Sequence, residues 1–379
     1  METQNLQKSE RIFCVYTTGC PASDATVNII KKILYDLGVR ITNSIDKATH
    51  ILYRPCTFEQ SQIELSQKRI KDLIDSGKIV ILLGCVVPLR DWCNEHNILV
   101  CENPNFKEFF IKKFSDEIGK AANQIVLPTN DEIGNSTSQI LQLTNRVSIT
   151  QGCMCNCAYC NIRNVEYGKK FTSIPEENIF RWIETLVNYG YNTIHLCGDD
   201  VTPYGFDKGK GLHGLPVLLS EIKKKYPELK IILTNLNIAF VKYWSDQEVK
   251  TVVDCVGELH LPIQSGDDDI LSSMRRRYKI ADFFRLYELI TKFGGGVNTD
   301  CIVGFPGETD VQFNKTLDII KHLQFKSFIQ AFAFSAVPGT LAAEKLNQIS
   351  EEIKLDRLAD LVYWAMKTNS DILVNTNRE

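Results

Sequence analysis

Residues 146–163, RVSITQGCMCNCAYCNIR, pass from a short apolar strand pattern straight into four cysteines, Cys153, Cys155, Cys157 and Cys160, within eight residues. Cys153, Cys157 and Cys160 have the spacing Cys-x3-Cys-x2-Cys, on a loop that follows a strand directly. Thiolates are the ligands of iron–sulfur clusters, and three of them on a cubane leave one iron without a protein ligand. A zinc site needs a fourth ligand. Cys155 could be offered, but four cysteines this close would strain to reach tetrahedral corners, and zinc sites usually take ligand pairs from two separate segments. Cys155 falls inside the Cys-x3-Cys interval and would be the spare thiol of a three-cysteine cluster.

Downstream of this stretch a regular alternation predicts α/β architecture. Strand patterns RVSIT, NTIHLC, KIILT, ELHLPI, NTDCIVG and SFIQAFAF are separated by helical patterns at about 175–189, 214–225, 244–253, 267–292 and 309–323. Six strands with intervening helices imply a parallel TIM-like (β/α)6 barrel, closed or nearly so, with its active site at the C-terminal strand ends. The cysteine loop lies there, as do GDD (198–200), NLN (235–237), QSG (264–266) and GFPGET (304–309). Upstream, RIFCVYTT, THILYR and KIVILLG alternate with two helical patterns, which reads as a small parallel, flavodoxin-like α/β domain. Cys20, Cys56 and Cys85 each sit just beyond one of these strands, so a parallel sheet would bring all three to one edge. The expected limits are 1–125 for this domain, 126–140 for a polar linker, 141–345 for the barrel and 346–379 for a helical tail.

Composition narrows the setting. The 379 residues carry a formal charge of −3 and are 44% hydrophobic. That argues against a uniformly basic nucleic-acid sleeve while leaving local patches such as Lys223–Lys225 or Arg275–Arg277 open. No apolar run approaches the roughly 20 residues needed to span a bilayer, and the N-terminus lacks a secretory h-region, so a cytoplasmic protein with no membrane association is expected. In a reducing compartment 13 cysteines are read as ligands or core residues. Cys14, Cys197, Cys255 and Cys301 fall in apolar contexts and belong to the core; His260 reads as a satisfied barrel histidine.

The cysteine loop resembles that of radical S-adenosylmethionine (SAM) enzymes, in which the open iron is chelated by the amino and carboxylate groups of SAM; Tyr159 occupies the aromatic position usual before the last cysteine. TTGCPASD, RPCTFEQ, LGCVVP, HLPIQSGDDDILSSMRRRY, TDCIVGFPGETDVQF and AFSAVPGTLAAEKL, in that order over about residues 12–360, further resemble the methylthiotransferases of that superfamily. This resemblance implies two 4Fe-4S clusters, the second, auxiliary one on Cys20, Cys56 and Cys85. It implies SAM as methyl donor and as source of a 5′-deoxyadenosyl radical that activates a C–H bond for methylthio insertion. It also implies SAM contacts at Gly198, Asp199 and Asp200, at Asn235 or Asn237, and at Gln264, Ser265 and Tyr159. An external flavodoxin- or ferredoxin-type electron donor is expected, and a monomer.

Two departures bear on the substrate. NIRNVEYGKK lacks the arginine that usually precedes the family's glycine, and the sequence ends soon after the last barrel motif, where relatives acting on RNA or a ribosomal protein continue into a β-barrel domain. With the acidic net charge, this leans the expectation toward a peptide or protein side chain, such as a ribosomally synthesised peptide. The alternative is a threonylcarbamoyladenosine-type tRNA methylthiotransferase. A two-cluster electron carrier or scaffold is the reading from another class; it would need neither an open iron nor six polar strand ends. Arg275–Arg277 reads equally as a substrate patch or a solvated helix end.

Overall fold

The computed structural model describes residues 11–18, 21–57, 60–84, 86–101, 106–118, 144–164, 170–323, 328–368 and 371–375. The chain divides into two compact units, one formed by residues up to Thr144 apart from Phe58–Gln62, the other from Asn145 onward. The expected linker at 126–140 lies outside the described residues.

The first unit contains β1 (Phe13–Thr17), α1 (Pro21–Asp36), β2 (His50–Arg54), α2 (Gln60–Asp75), β3 (Ile79–Leu83), α3 (Arg90–Glu95), β4 (Leu99–Cys101) and α4 (Phe106–Phe114). The sheet is parallel, in the order β1-β2-β3-β4. On the far side of β1 a single bridge pairs Phe13 with Ile41, held by Phe13 N to Arg40 O and Thr42 N to Phe13 O. Counting Ile41 as a rudimentary second strand gives the flavodoxin-like order 2-1-3-4-5. Val27, Ile30 and Leu34 present the apolar stripe of α1 to the sheet, where they join Phe13, Leu52, Ile81 and Phe110 in one core. Three strands were expected here. The fourth, LVC, is three residues long and carries too little period to be read from sequence.

The second unit runs β5 (Arg146–Ser148), β6 (Thr150–Gln151), β7 (Thr172–Ser173), α5 (Glu176–Asn188), β8 (Thr193–Cys197), α6 (Gly214–Lys225), β9 (Lys230–Leu233), α7 (Ile238–Val241), α8 (Asp246–Val256) and β10 (Glu258–His260). It continues with α9 (Asp268–Ser273), α10 (Ile280–Lys292), β11 (Gly296–Val303), α11 (Asp310–His322), β12 (Phe328–Ala333), α12 (Glu351–Lys367) and β13 (Asp371–Asn375). All six expected strands are present, as β5, β8, β9, β10, β11 and β12. They form two parallel sheets, β5-β8-β9 and β10-β11-β12-β13, and Leu236 N donates to His260 O (2.8 Å) beside the break. The result is a partial barrel. Its middle strand β11 is buried over all eight residues, as expected of a strand covered on both faces. Helix starts follow local chemistry: reciprocal capping boxes at Ser245/Glu248 and Thr309/Gln312 open α8 and α11, and the Asp267 carboxylate caps α9.

The C-terminal segment differs from the expected helical tail. After α12 it turns into β13, which pairs in parallel with β12 from Phe328↔Asp371 to Phe332↔Asn375. Among the described residues no helix is long and apolar enough to cross a membrane.

Candidate active site

The cysteine loop leaves the end of β5 through β6, which pairs antiparallel with β7. Gly152 turns the chain at φ 76°, and its N–H donates to the Asp199 carboxylate at 2.7 Å. The far end is fixed at Ala158: its N–H donates to Met274 O (2.9 Å) and its carbonyl accepts from Ala342 N (2.8 Å). Between these anchors the thiols divide. Cys153 donates to Asp200 Oδ2 (3.5 Å) and accepts from Cys155 N (3.3 Å). Cys155, 4% exposed, accepts from Asn237 Nδ2 (3.3 Å), which also donates to Asp200 Oδ2 (3.0 Å). Cys157 accepts from Arg276 Nη1 at 3.3 Å, and the same nitrogen lies 3.4 Å from the Tyr159 hydroxyl.

Burial sets the electrostatics. The Cys153 thiol is held above its usual range by the neighbouring Cys155 thiol, by burial and by the Asp200 carboxylate, against the Cys155 N–H, whereas Cys155 is drawn down to about 7, chiefly by the Cys153 thiol. Burial pushes Cys160 up to about 12, with Cys157 adding to it. Burial also raises Asp200, against hydrogen bonds from Asn237, Thr202 N and Cys153. Arg276 is the counterweight: its guanidinium donates to Cys157, lies 5.0 Å from the Tyr278 ring centre, and keeps a buried Nε with no hydrogen-bond partner among the described residues. Protonated thiols are a cost that metal binding removes, because coordination takes the thiolate form. A loop of three thiols with a buried cation on one of them suits a group that carries net negative charge through its thiolate ligands. The residues present therefore fit an iron–sulfur cluster. Among the described residues, Cys153, Cys155 and Asp200 place their ligand atoms within 4.8 Å of one another, a closer grouping than the Cys153, Cys157 and Cys160 set expected from spacing.

The other expected residues fall out unevenly. Gly198 is required by close approach, since a Cβ there would stand 2.0 Å from Thr150 Oγ1. Asp199 and Asp200 are both at the loop. Asn237 is there as well, capping α7 and donating to Asp200, while Asn235 is exposed. Gln264 holds a left-handed backbone (φ 62°) and extends β10 by hydrogen bonds with Asp300 O and Ile302 N. A non-glycine residue in that region stores strain of the sort found at functional sites. Ser265 is fully buried, and its hydroxyl accepts from Asp267 N (3.2 Å), a structural task. His260 is paired with Asp300 at 2.7 Å. Of the upstream triplet, Cys56 is half-buried just past β2, its carbonyl accepting from Ser66 Oγ (3.2 Å). Cys20 and Cys85 lie outside the described residues. Arg276, Thr202 and Thr150 were not singled out individually from sequence. Arg276 was visible only as the middle of a triple-arginine run.

Comparison with known proteins agrees with this geometry. A family model described as the radical SAM superfamily matches residues 147–320, and one described as uncharacterized protein family UPF0004 matches residues 12–97. A Pyrococcus abyssi protein named probable threonylcarbamoyladenosine tRNA methylthiotransferase is 28% identical over 335 residues, 86% of this chain and 77% of that protein. A Methanocaldococcus jannaschii protein of the same name is 27% identical over 366 residues, 89% of this chain and 79% of its own length. Thermotoga maritima threonylcarbamoyladenosine tRNA methylthiotransferase MtaB is 34% identical over 214 residues, 56% of this chain and 48% of MtaB. Among solved structures, the radical SAM methyltransferase TsrM from Kitasatospora setae superposes with a TM-score of 0.61 at 11% identity, over 85% of this chain and 74% of TsrM, a likeness of fold.

Partial barrel, strand-end cysteine loop and matched family model define a radical SAM enzyme. Joined to the UPF0004 unit, and with relatives of this name matching over most of its length, the chain belongs to the radical SAM methylthiotransferases, whose cofactors are SAM and 4Fe-4S clusters.

Proposed function

We propose that this enzyme transfers a methylthio group to a tRNA adenosine of the threonylcarbamoyladenosine type. What supports the reading most is that relatives matching over 86% and 89% of the chain, and so both of its units, are named for that reaction. The leaning toward a peptide drew on the NIRNVEYGKK departure, on the β-barrel domain of RNA-acting relatives and on net charge, and the last is a whole-chain quantity that says nothing of a local basic patch beside the site.

In this reading Cys153, Cys157 and Cys160 hold the cluster that binds SAM, and Cys20, Cys56 and Cys85 hold the auxiliary one. When bound, these groups supply radical generation and the sulfur to be transferred, while the protein orients the reactants and excludes water. Asp199 sets the loop by taking the Gly152 N–H, Asp200 and Asn237 form a buried polar floor beneath Cys153 and Cys155, and Arg276 places a fixed positive charge on Cys157. Gly198, Gln264 and Tyr159 complete the surface offered to SAM.

The test is anaerobically reconstituted protein with SAM, a reductant and either tRNA lacking the modification or candidate peptides. Mass spectrometry of digested RNA should show a methylthio gain on the adenosine derivative. A gain confined to peptide would overturn the RNA reading, and absence of any 5′-deoxyadenosine would return the chain to an electron carrier or scaffold.

A further inference from the structure

Asn156 of the cysteine loop, Ser272 at the end of α9, and Arg275, Arg276 and Arg277 line a depression of about 330 Å³. The turn that builds it has the hydrogen bonds of a Schellman motif: Arg275 N donates to Ser272 O (2.9 Å) and Arg276 N to Leu271 O (2.8 Å). The left-handed position of that motif is normally glycine, yet here it is Arg275, at φ 60°. The strained backbone sends three consecutive arginines in different directions. Arg276 goes inward to Cys157, whereas Arg275 and Arg277 are exposed and have no carboxylate partner among the described residues. Nearby cations are engaged: Lys242 with Asp282 and the Arg277 carbonyl, Arg285 with Asp246. Two unspent guanidinium forks therefore flank a polar hollow whose inner wall reaches the cluster loop.

We propose that this depression binds the phosphodiester backbone of the RNA substrate next to the nucleotide being modified, with Arg275 and Arg277 gripping phosphates and Asn156 and Ser272 supplying neutral hydrogen bonds. The proposal rests on the tRNA reading. Guanidinium matches phosphate in a two-bond fork, and phosphate contacts position a nucleic acid without reading its sequence. A concave, polar, cationic hollow admits a phosphate group and its ribose better than the flatter face of an acidic electron-donor protein. The glycine forgone at position 275 is the strain given up for the charge.

The experiment measures the affinity of labelled tRNA for the reconstituted enzyme over a series of salt concentrations, for wild type, Arg275→Gly, Arg277→Ser and the double variant. Iron content and melting temperature serve as folding controls. Each substitution should weaken binding severalfold for all tRNA sequences alike and lower the slope of log affinity against log salt by about 1. Arg275→Gly should also raise the melting temperature, since glycine relieves the left-handed backbone, so its weaker binding cannot be laid to unfolding. If wild type modifies tRNA while the double variant keeps full affinity and slope, this site is wrong and the function stands. If wild type neither binds nor modifies tRNA, the function fails and the site with it. Unchanged RNA binding with slower cluster reduction by a flavodoxin would hand the surface to a redox partner and overturn the proposal.

Discussion

At the scale of single residues, the cysteine loop separates ligand from spare. Cys155→Ser should keep the iron and sulfide of the barrel cluster, because Cys155 lies in the Cys-x3-Cys interval and faces Asn237, whereas Cys157→Ser should lose them; both are read by metal and sulfide analysis of the reconstituted protein. Arg276 acts on the same loop by charge. A buried cation beside a thiolate ligand favours the reduced, more negative cluster, so Arg276→Gln should move the midpoint potential of the barrel cluster downward in an EPR-monitored redox titration, with Arg276→Lys recovering part of the shift. The sequence displayed the three arginines but not their division of labour. That division depends on one backbone angle, at Arg275, in a position where glycine would ordinarily be looked for. Asn237 was obscured for a related reason: two asparagines flank Leu236, and what singles out Asn237 is that it caps the four-residue α7, a helix too short to be read from the sequence.

At the scale of elements, strong periodicity was readable and short segments were not. The six barrel strands and helices such as Gly214–Lys225 stand out because apolar runs alternate with amphipathic stripes and capping residues. The three-residue β4, the four-residue α7, the Ile41 bridge and β13 carry too little pattern, and exist because neighbours supply their pairing. Close approach between elements is likewise invisible until they are assembled. The end of β8 meets β6 at Gly198, where a Cβ would fall 2.0 Å from Thr150 Oγ1 and 2.7 Å from its carbonyl oxygen. Gly198→Ala should therefore cost about 1–3 kcal/mol in denaturant unfolding. Adding Thr150→Ala, which deletes a buried hydroxyl with no partner among the described residues, should restore part of that loss and show the two sites to be coupled.

At the scale of the whole molecule, stability has a pH-dependent component centred on Glu308. This residue of the GFPGE turn accepts from Gly304 N (2.7 Å) and Arg357 Nη1 (2.9 Å), leaving Oε1 without a partner among the described residues. Burial raises its carboxyl to about 7. The folded state then holds a proton that the unfolded chain has released between its ordinary value near 4.5 and about 7, so stability should fall as pH rises through that window, by at most about 1.4 kcal/mol per pH unit. Urea midpoints across the window should show the decline in wild type and a flatter profile in Glu308→Gln. Another consequence of assembly concerns the order of maturation. Ala158 of the cysteine loop is held on one side by Met274 and on the other by Ala342, segments more than a hundred residues further along the chain. Both anchors of Ala158 therefore exist only once the chain has been made through Ala342, which puts the final shaping of the cysteine loop late in synthesis.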